Sequence, residues 1–483
     1  MPSTRSNEQK RSGGRSYARP RPQERGPSAG PAVRPTSAPT TSAAPRSDPA
    51  LRRSRRLLEQ VFGPLSARRF AVRFWDGTLD APPVDPEFTL ALNHAGALRR
   101  LLLPPTQAAM GAAYVQGHID LEGDFEAATA VGYQVAARLR SPLLLLAVMA
   151  RAARLPRDRS AGSVGPFSSG GPSGSKHSRR RDAAAVTGHY DVGNDFYRLF
   201  LDRRLVYSCA YFADDSDDLD RAQEAKLDHI CRKLRLRPGE RFLDIGCGWG
   251  ALVLHAAERY GVEALGITLS EPQARLARER IAAAGLGERC RVEVRDYRDF
   301  PPDARFDKVA SIGMVEHVGR RRIRTYFDQV ARHLAPGGLF LNHGIVSLDG
   351  PPGPVERLGI LALRPSASFI QRYVFPDSEL LSVTELTAPG ERVGLELRDT
   401  ESLREHYART LRHWVRRLES SEEEARRLVG DDTYRVWRLY MGGCAYTFTA
   451  GDIGIVQMLW GKPGNGGGLP LPPTRADLYA SSP

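Results

Sequence analysis

RFLDIGCGWGALVLHAAERY (241–260) runs from a short apolar stretch, through a turn with glycine at every second position, into an amphipathic helix. Glycines 246, 248 and 250 let the chain turn sharply and bring bare backbone close to a ligand at the N-terminus of that helix. Outward from this unit the same alternation repeats. VEALGIT (262–268) reads as a strand, with a helix over 272–284 after it. CRVEV (290–294) and FDKVASIG (306–313) read as the third and fourth strands. A helix over 322–334 stops at Pro336-Gly337-Gly338, GLFLNHGIV (338–346) follows as a fifth strand, and GIVQMLWGKP (454–463) closes the set. Repeated β-α units predict an α/β fold, a mostly parallel sheet with helices on both faces.

Upstream, residues 51–156 are expected to form a smaller N-terminal domain. FAVRFWDGTL (70–79) alternates like one strand, and 128–139 and 143–155 have helical patterning. The Gly/Ser-rich stretch 157–181 reads as a flexible linker before a catalytic domain over 182–465. Residues 1–50 form an Arg/Pro/Ser-rich segment with too little apolar surface to offset its ordering entropy, and 466–483 are expected to be a flexible tail.

The 483 residues are 41% hydrophobic, enough for a large core, and carry a net charge of +13, which favours anionic partners without choosing among them. Cysteines 209, 231, 247, 290 and 444 are scattered with no CxxC pair, so no disulfide framework or metal site is expected. The N-terminus lacks the apolar core of a signal peptide, and the most apolar run, 142–150, is far shorter than the roughly 20 residues of a membrane span.

The spacing at 246–250 is G-x-G-x-G rather than G-x-G-x-x-G, with no phosphate-binding lysine after it. The pattern resembles the seven-stranded methyltransferase class, and the resemblance implies S-adenosylmethionine as cofactor. Its cradle would comprise Asp244, Gly246, Cys247, Gly248, Trp249 and Gly250 of the first turn, with Thr268, Leu269 and Gln273 after the second strand. An acidic residue commonly grips the ribose at that second position; here the Gln273 amide can donate to and accept from a hydroxyl. Asp296 offers a carboxylate for an amine edge, and Tyr297 reads either as a ring stacked on adenine or as an ordinary half-buried tyrosine.

TGHYDVGNDFYRLFLDRRLVYSCAYF (187–212), GITLSEPQ (266–273), MVEHVG (314–319), NHGIV (342–346), HYARTL (406–411) and YMGGCAYTF (440–448) occur in order. Together they resemble the cyclopropane-fatty-acyl-phospholipid synthase family and its relatives, the mycolic acid cyclopropane synthases. AAYVQGHIDLEGDF (112–125) extends the likeness into the N-terminal, lipid-facing region. The resemblance implies methylene transfer to the cis double bond of an unsaturated phospholipid acyl chain, with Tyr207 and Ser208 completing the cofactor site. It also implies a bicarbonate ion as proton acceptor, held by Glu316, His343, Tyr407 and the main chains of Cys209 and Ile345, with Cys444 beside the substrate.

Read singly, each of these residues has a plainer reading. Glu316-His317 is equally a helix-end charge cluster, His343 a structural histidine, Tyr407 a half-buried ring and Cys444 an inert thiol. Tyr373, Phe375, Trp437, Tyr440, Tyr446 and Phe448 would stabilise a carbocation and exclude water, and 348–389 would form a lid over the acyl chain. The same chemistry could instead yield methylene- or methyl-branched chains. A nucleic-acid methyltransferase is disfavoured, since neither an Asn/Asp-Pro-Pro-aromatic motif nor a Pro-Cys pair occurs. A lipid-binding protein without activity would have no use for both motif sets. Expected partners are an anionic membrane surface, with a homodimer possible. The expected location is cytoplasmic, peripheral at the inner face of a bacterial plasma membrane.

Overall fold

The computed structural model describes residues 48–139, 141–157, 177–179, 181–182, 192–348 and 369–479. The tail 1–47, most of the expected linker and residues 349–368 of the expected lid lie outside the described residues. Residues 48–483 form one unit.

The N-terminal part begins with α1 (Pro49–Phe62), whose first turn is capped by the Asp48 carboxylate accepting from the Ala50 N–H at 2.8 Å. β1 (Phe70–Arg73), β2 (Leu79–Asp80), β3 (Phe88–Leu92), α2 (Ala97–Leu102), α3 (Gln107–Val115), β4 (Ile119–Gly123), α4 (Phe125–Arg138) and α5 (Pro142–Ala152) follow. The sheet order is β2-β1-β3-β4. The single strand expected over 70–79 is broken. A turn at Phe74–Thr78, with Gly77 at φ +84° and the Asp76 carboxylate accepting from the Thr78 N–H at 3.0 Å, folds β2 back antiparallel on β1.

The larger part contains α6 (Asn194–Phe200), α7 (Leu219–Leu234), β5 (Arg241–Ile245), α8 (Ala251–Tyr260), β6 (Glu263–Thr268), α9 (Glu271–Ala283), β7 (Cys290–Val294), β8 (Phe306–Ile312), α10 (Val315–Val318), α11 (Ile323–His333) and β9 (Leu334–Ser347). It ends with α12 (Phe369–Tyr373), α13 (Val383–Arg392), β10 (Glu396–Ser402), α14 (Arg404–Ser420), α15 (Glu422–Ala450, broken at Gly430), β11 (Ile453–Gly461) and α16 (Ala476–Tyr479). The seven strands lie in the order β10-β11-β9-β8-β5-β6-β7, with β11 antiparallel to both neighbours. The fold class is as expected: α/β, seven strands, with a smaller N-terminal part. The order in which strands are added reverses at β5, with β6 and β7 on one side and β8 and β9 on the other, and the glycine turn stands at the C-terminal end of that strand, where such sheets bind ligands.

Three expectations change. β10 is an edge strand of sequence ELRDTES, too polar to show a core face, and sequence reading missed it. Residues 383–389 are not lid: they begin α13, which packs on α11 and β10, with Leu386 fully buried and Gly390 against the Trp460 ring. The tail 466–483 is docked as far as Tyr479, with Leu478 buried and Asp477 paired with Arg235 at 2.9 Å.

One apolar core also runs continuously from Leu51 to Ile455, so residues 51–156 share their interior with the larger part. Phe125 lies where a side chain at Gly442 would point, Arg412 is bidentate to Glu126 at 2.6 Å, and Arg435 pairs with Asp120 at 2.8 Å.

Candidate active site

The segment 202–212 is irregular, and its shape is set by side chains. Asp202 accepts from the N–H groups of Arg204 at 2.9 Å and Val206 at 2.7 Å, forcing the turn that presents Tyr207, Ser208 and Cys209. α7 and α14 then hold the segment between them. Gln223 donates to the Ser208 carbonyl at 2.9 Å, Lys226 donates to the Ser208 hydroxyl at 2.9 Å, and the Ala210 N–H donates to Thr410 at 3.0 Å. Cys209 thereby comes to rest beside the helix that carries Tyr407.

One cavity above β5, β6 and β7 is lined by Tyr207, Ser208, Asp244, Gly246, Cys247, Gly248, Trp249, Thr268, Leu269, Gln273, Asp296 and Tyr297. Of the expected cofactor residues only Gly250 is outside it; that glycine, at φ +81°, starts α8, and a Cβ there would press on Ala277 at 3.0 Å. Gly246, at φ +82°, faces Met314 across the opening. The Thr268 hydroxyl donates to the Gln273 amide oxygen at 2.8 Å, which leaves the amide N–H groups as donors for a ribose. Asp296 is not an open carboxylate: Arg298 clamps it through Nε at 2.8 Å and Nη2 at 2.5 Å and holds its carboxyl below the usual range despite burial.

The sequence reading missed Lys226. Its ammonium is fully buried at the cavity wall, and burial lowers it to about 8 while Asp202 and Asp244 oppose that change. Burial raises Asp244 to about 7, with Lys226 pulling it back, and Oδ1 of Asp244 has no hydrogen-bond partner among the described residues. A ligand with an ammonium and a carboxylate, such as the methionine end of S-adenosylmethionine, suits this pair of opposite buried charges. The signal was present in α7, where Gln223, Lys226 and Lys233 fall on the buried helical face with Ala222, Leu227, Ile230 and Leu234.

Of the expected bicarbonate residues, Cys209, Glu316, His343 and Tyr407 are buried and Ile345 is half-buried. Glu316, on α10 just after β8, accepts from the Ile345 N–H at 2.6 Å, so that N–H serves the carboxylate. Gly344 permits this approach, since a Cβ there would collide with Val315 and come within 3.7 Å of Glu316. His343 takes its register partner Gln457 on β11 as hydrogen-bond partner, Nε2 to Nδ1 at 3.2 Å. Oε2 of Glu316 and Nε2 of His343 are buried without partners among the described residues.

Burial raises Glu316 to about 7 and lowers His343 well below its ordinary value, leaving the imidazole neutral. Burial lifts Tyr407 far up, and Tyr440, Cys209, Glu316 and Cys444 all lie within its electrostatic reach; Lys226 acts on both Cys209 and His343. The Cys444 thiol, pushed up to about 12 by burial, is protonated and not a thiolate nucleophile. Oε2 of Glu316 and Nε2 of His343, each buried without a partner among the described residues, are atoms that a small hydrogen-bonding ligand would satisfy.

Aromatic rings close the region. Tyr207 stacks on Trp414 at 5.2 Å, Tyr440 meets Phe375 at 5.8 Å, and Phe448 lies 4.8 Å from the Tyr407 ring. Trp437 packs between Phe196, Tyr197 and Phe200. Tyr373 instead pairs with Phe369, and Tyr446 with Tyr133 of α4 at 5.0 Å.

A family model described as mycolic acid cyclopropane synthetase matches residues 177–458, and one described as a domain of unknown function matches 57–140. A probable fatty acid methyltransferase of Pseudomonas putida is 40% identical over 409 residues, 84% of this chain and 95% of that protein. The cyclopropane-fatty-acyl-phospholipid synthase of Escherichia coli is 36% identical over 274 residues, 57% of this chain and 66% of its own length. The crystal structure of mycolic acid cyclopropane synthase CmaA1 complexed with SAH and CTAB superposes with a TM-score of 0.54 at 35% identity, covering 58% of this chain and 98% of that one. The cavity at the glycine turn and these matches agree: the chain belongs to the mycolic acid cyclopropane synthetase family and is an S-adenosylmethionine-dependent methyltransferase.

Proposed function

We propose that the enzyme adds one carbon from S-adenosylmethionine across the cis double bond of an unsaturated acyl chain in a membrane phospholipid, closing a cyclopropane ring. The observations that support this most are the cavity at the glycine turn and two atoms buried without partners among the described residues, Glu316 Oε2 and His343 Nε2. When bound, S-adenosylmethionine supplies an electrophilic methyl group and bicarbonate a small mobile proton acceptor.

The remaining work falls to side chains of this chain. Tyr440, Trp437 and Phe448 exclude water and offer ring faces to positive charge developing on the acyl chain. Neutral His343 and protonated Tyr407 donate hydrogen bonds to an oxyanion, and Glu316, near half-protonation at neutral pH, can share a proton with it. Cys209 holds its thiol hydrogen towards the carbonyl of Ala210 at 3.2 Å, which leaves its main chain as the part offered to the site. With a net charge of +13, we place the enzyme peripherally on an anionic inner membrane face.

A methyl-branched product is the second reading, favoured by the Pseudomonas putida relative named as a probable fatty acid methyltransferase, which aligns over 84% of this chain. Purified enzyme incubated with dioleoyl phosphatidylglycerol and methyl-labelled cofactor separates the two. A released acyl chain one CH2 heavier that survives mild hydrogenation unchanged is the ring; one that takes up hydrogen is the methylene branch and overturns the first reading. No label transfer to any unsaturated phospholipid overturns both.

A further inference from the structure

Among the described residues, the two most exposed large apolar side chains are Leu143 at 82% and Leu146 at 64%, both on α5 and three residues apart, hence on one helix face. The opposite face, with Val148 and Ala152, is buried where α5 packs on α1 and α2. Arginines gather at the C-terminal end of the same helix and on the two helices packed against it. Arg53 and Arg56 of α1, Arg100 of α2, and Arg151, Arg154 and Arg157 in and after α5 are all exposed, and Glu59 is the sole acid on α1, α2 and residues 142–157. These arginines share one surface, because Arg53 reaches the Arg154 carbonyl at 3.4 Å and Arg99 the Ala152 carbonyl at 3.4 Å.

We propose that this face of α5 docks on an anionic lipid bilayer, with Leu143 and Leu146 entering the acyl boundary and the guanidinium groups at the helix end and on α1 and α2 holding headgroup phosphates. The proposal rests on the reading of the substrate as a membrane lipid, and it names the surface that meets the membrane. Its chemistry is that of an interfacial helix: exposed leucines at one end, and at the other end and on the adjoining helices cations that extend back to phosphate depth. A second copy of the chain fits poorly, since a two-fold contact would set these arginines against the same arginines, with Glu59 the one acid among the described residues of these helices. The placement is also suited to substrate delivery. α4 ends three residues before α5 begins and carries Tyr133 packed on Tyr446, two positions from Cys444, so the docking helix adjoins the wall of the apolar cluster.

The test is co-sedimentation of the full chain with vesicles of phosphatidylglycerol and phosphatidylcholine, comparing the parent with L143Q/L146Q and with R151E/R154E. The parent is expected to bind, each double variant about tenfold or more weakly, given the apolar area and charge removed. Calorimetric binding of S-adenosylhomocysteine stays unchanged in both variants, which shows that they fold. A parent that does not sediment with vesicles, or an L143Q/L146Q protein that binds within twofold of the parent, overturns the proposal. So does an L143Q/L146Q protein that changes from dimer to monomer by sedimentation velocity while still binding vesicles. Product formation from detergent-dispersed phospholipid without vesicle binding sinks this surface and leaves the functional reading standing. Vesicle binding that depends on the leucines, without product from any phospholipid, supports the surface and sinks that reading.

Discussion

At the scale of single residues, Glu316 joins chemistry to stability. Its carboxyl is buried with one oxygen satisfied by the Ile345 N–H and one unpartnered. Glu316→Gln keeps the shape and the hydrogen bond but removes the group that exchanges a proton. Turnover is expected to fall about 10²–10⁴-fold while S-adenosylhomocysteine binding by calorimetry stays within twofold. A variant with undiminished turnover would remove Glu316 from the chemistry.

The same substitution has a pH signature. Burial raises the folded-state value from 4.5 to about 7, so the native protein holds this proton more tightly than the unfolded chain. The stabilisation is complete below about 4.5 and is lost as pH rises through 7. Glu316→Gln is therefore expected to be more stable than the parent at pH 8, by on the order of 3 kcal/mol, with the difference disappearing near pH 4. Denaturant unfolding at the two pH values measures it, and equal differences at both would show that the carboxyl is not held in a dry site.

At the scale of elements, α7 and α13 each do something their sequence only half discloses. α7 buries Lys226 against Ser208 and Asp244. Lys226→Met leaves the Asp244 charge without its buried counter-ion and releases Ser208, so it is expected to destabilise by about 3 kcal/mol at pH 8 and less at pH 5, where Asp244 is protonated. It is also expected to weaken cofactor binding in calorimetry; unchanged affinity would take Lys226 out of the site. α13 starts with a capping box in which Ser382 accepts from the Glu385 N–H while Glu385 accepts from the Ser382 N–H. Ser382→Ala is expected to cost about 1 kcal/mol in denaturant unfolding with turnover intact, because α13 supports the sheet. A loss of turnover without loss of stability would return this segment to the lid expected from the sequence.

At the scale of the whole molecule, the N-terminal part and the larger part share a core. The seam runs along α15, where Gly442 lies against Phe125 with no room for a side chain and Arg435 and Arg438 reach across to Asp120 and Tyr114. Gly442→Leu is expected to force this seam apart at a cost of about 1–3 kcal/mol, read as a lowered unfolding midpoint with a single transition. Two separated transitions in the parent would mean that the parts fold independently.

The glycine spacing at 246–250, the β-α alternation and the ordered motifs carried the fold and the cofactor, because each depends on local periodicity or on residues whose chemistry is fixed by type. Tertiary structure decided the remainder. β10 is a polar edge strand that becomes a strand only by pairing with β11, and α13 becomes scaffold only by lying on α11. Arg298 takes up the Asp296 carboxylate across two residues of a turn, and Lys226 becomes part of the site only when α7 is laid beside β5. His343 and Glu316, separated by 27 positions and read singly as ordinary residues, acquire shifted protonation only because folding removes water from both. Side-chain type and spacing are properties of the chain, whereas desolvation and partner choice belong to the packed molecule.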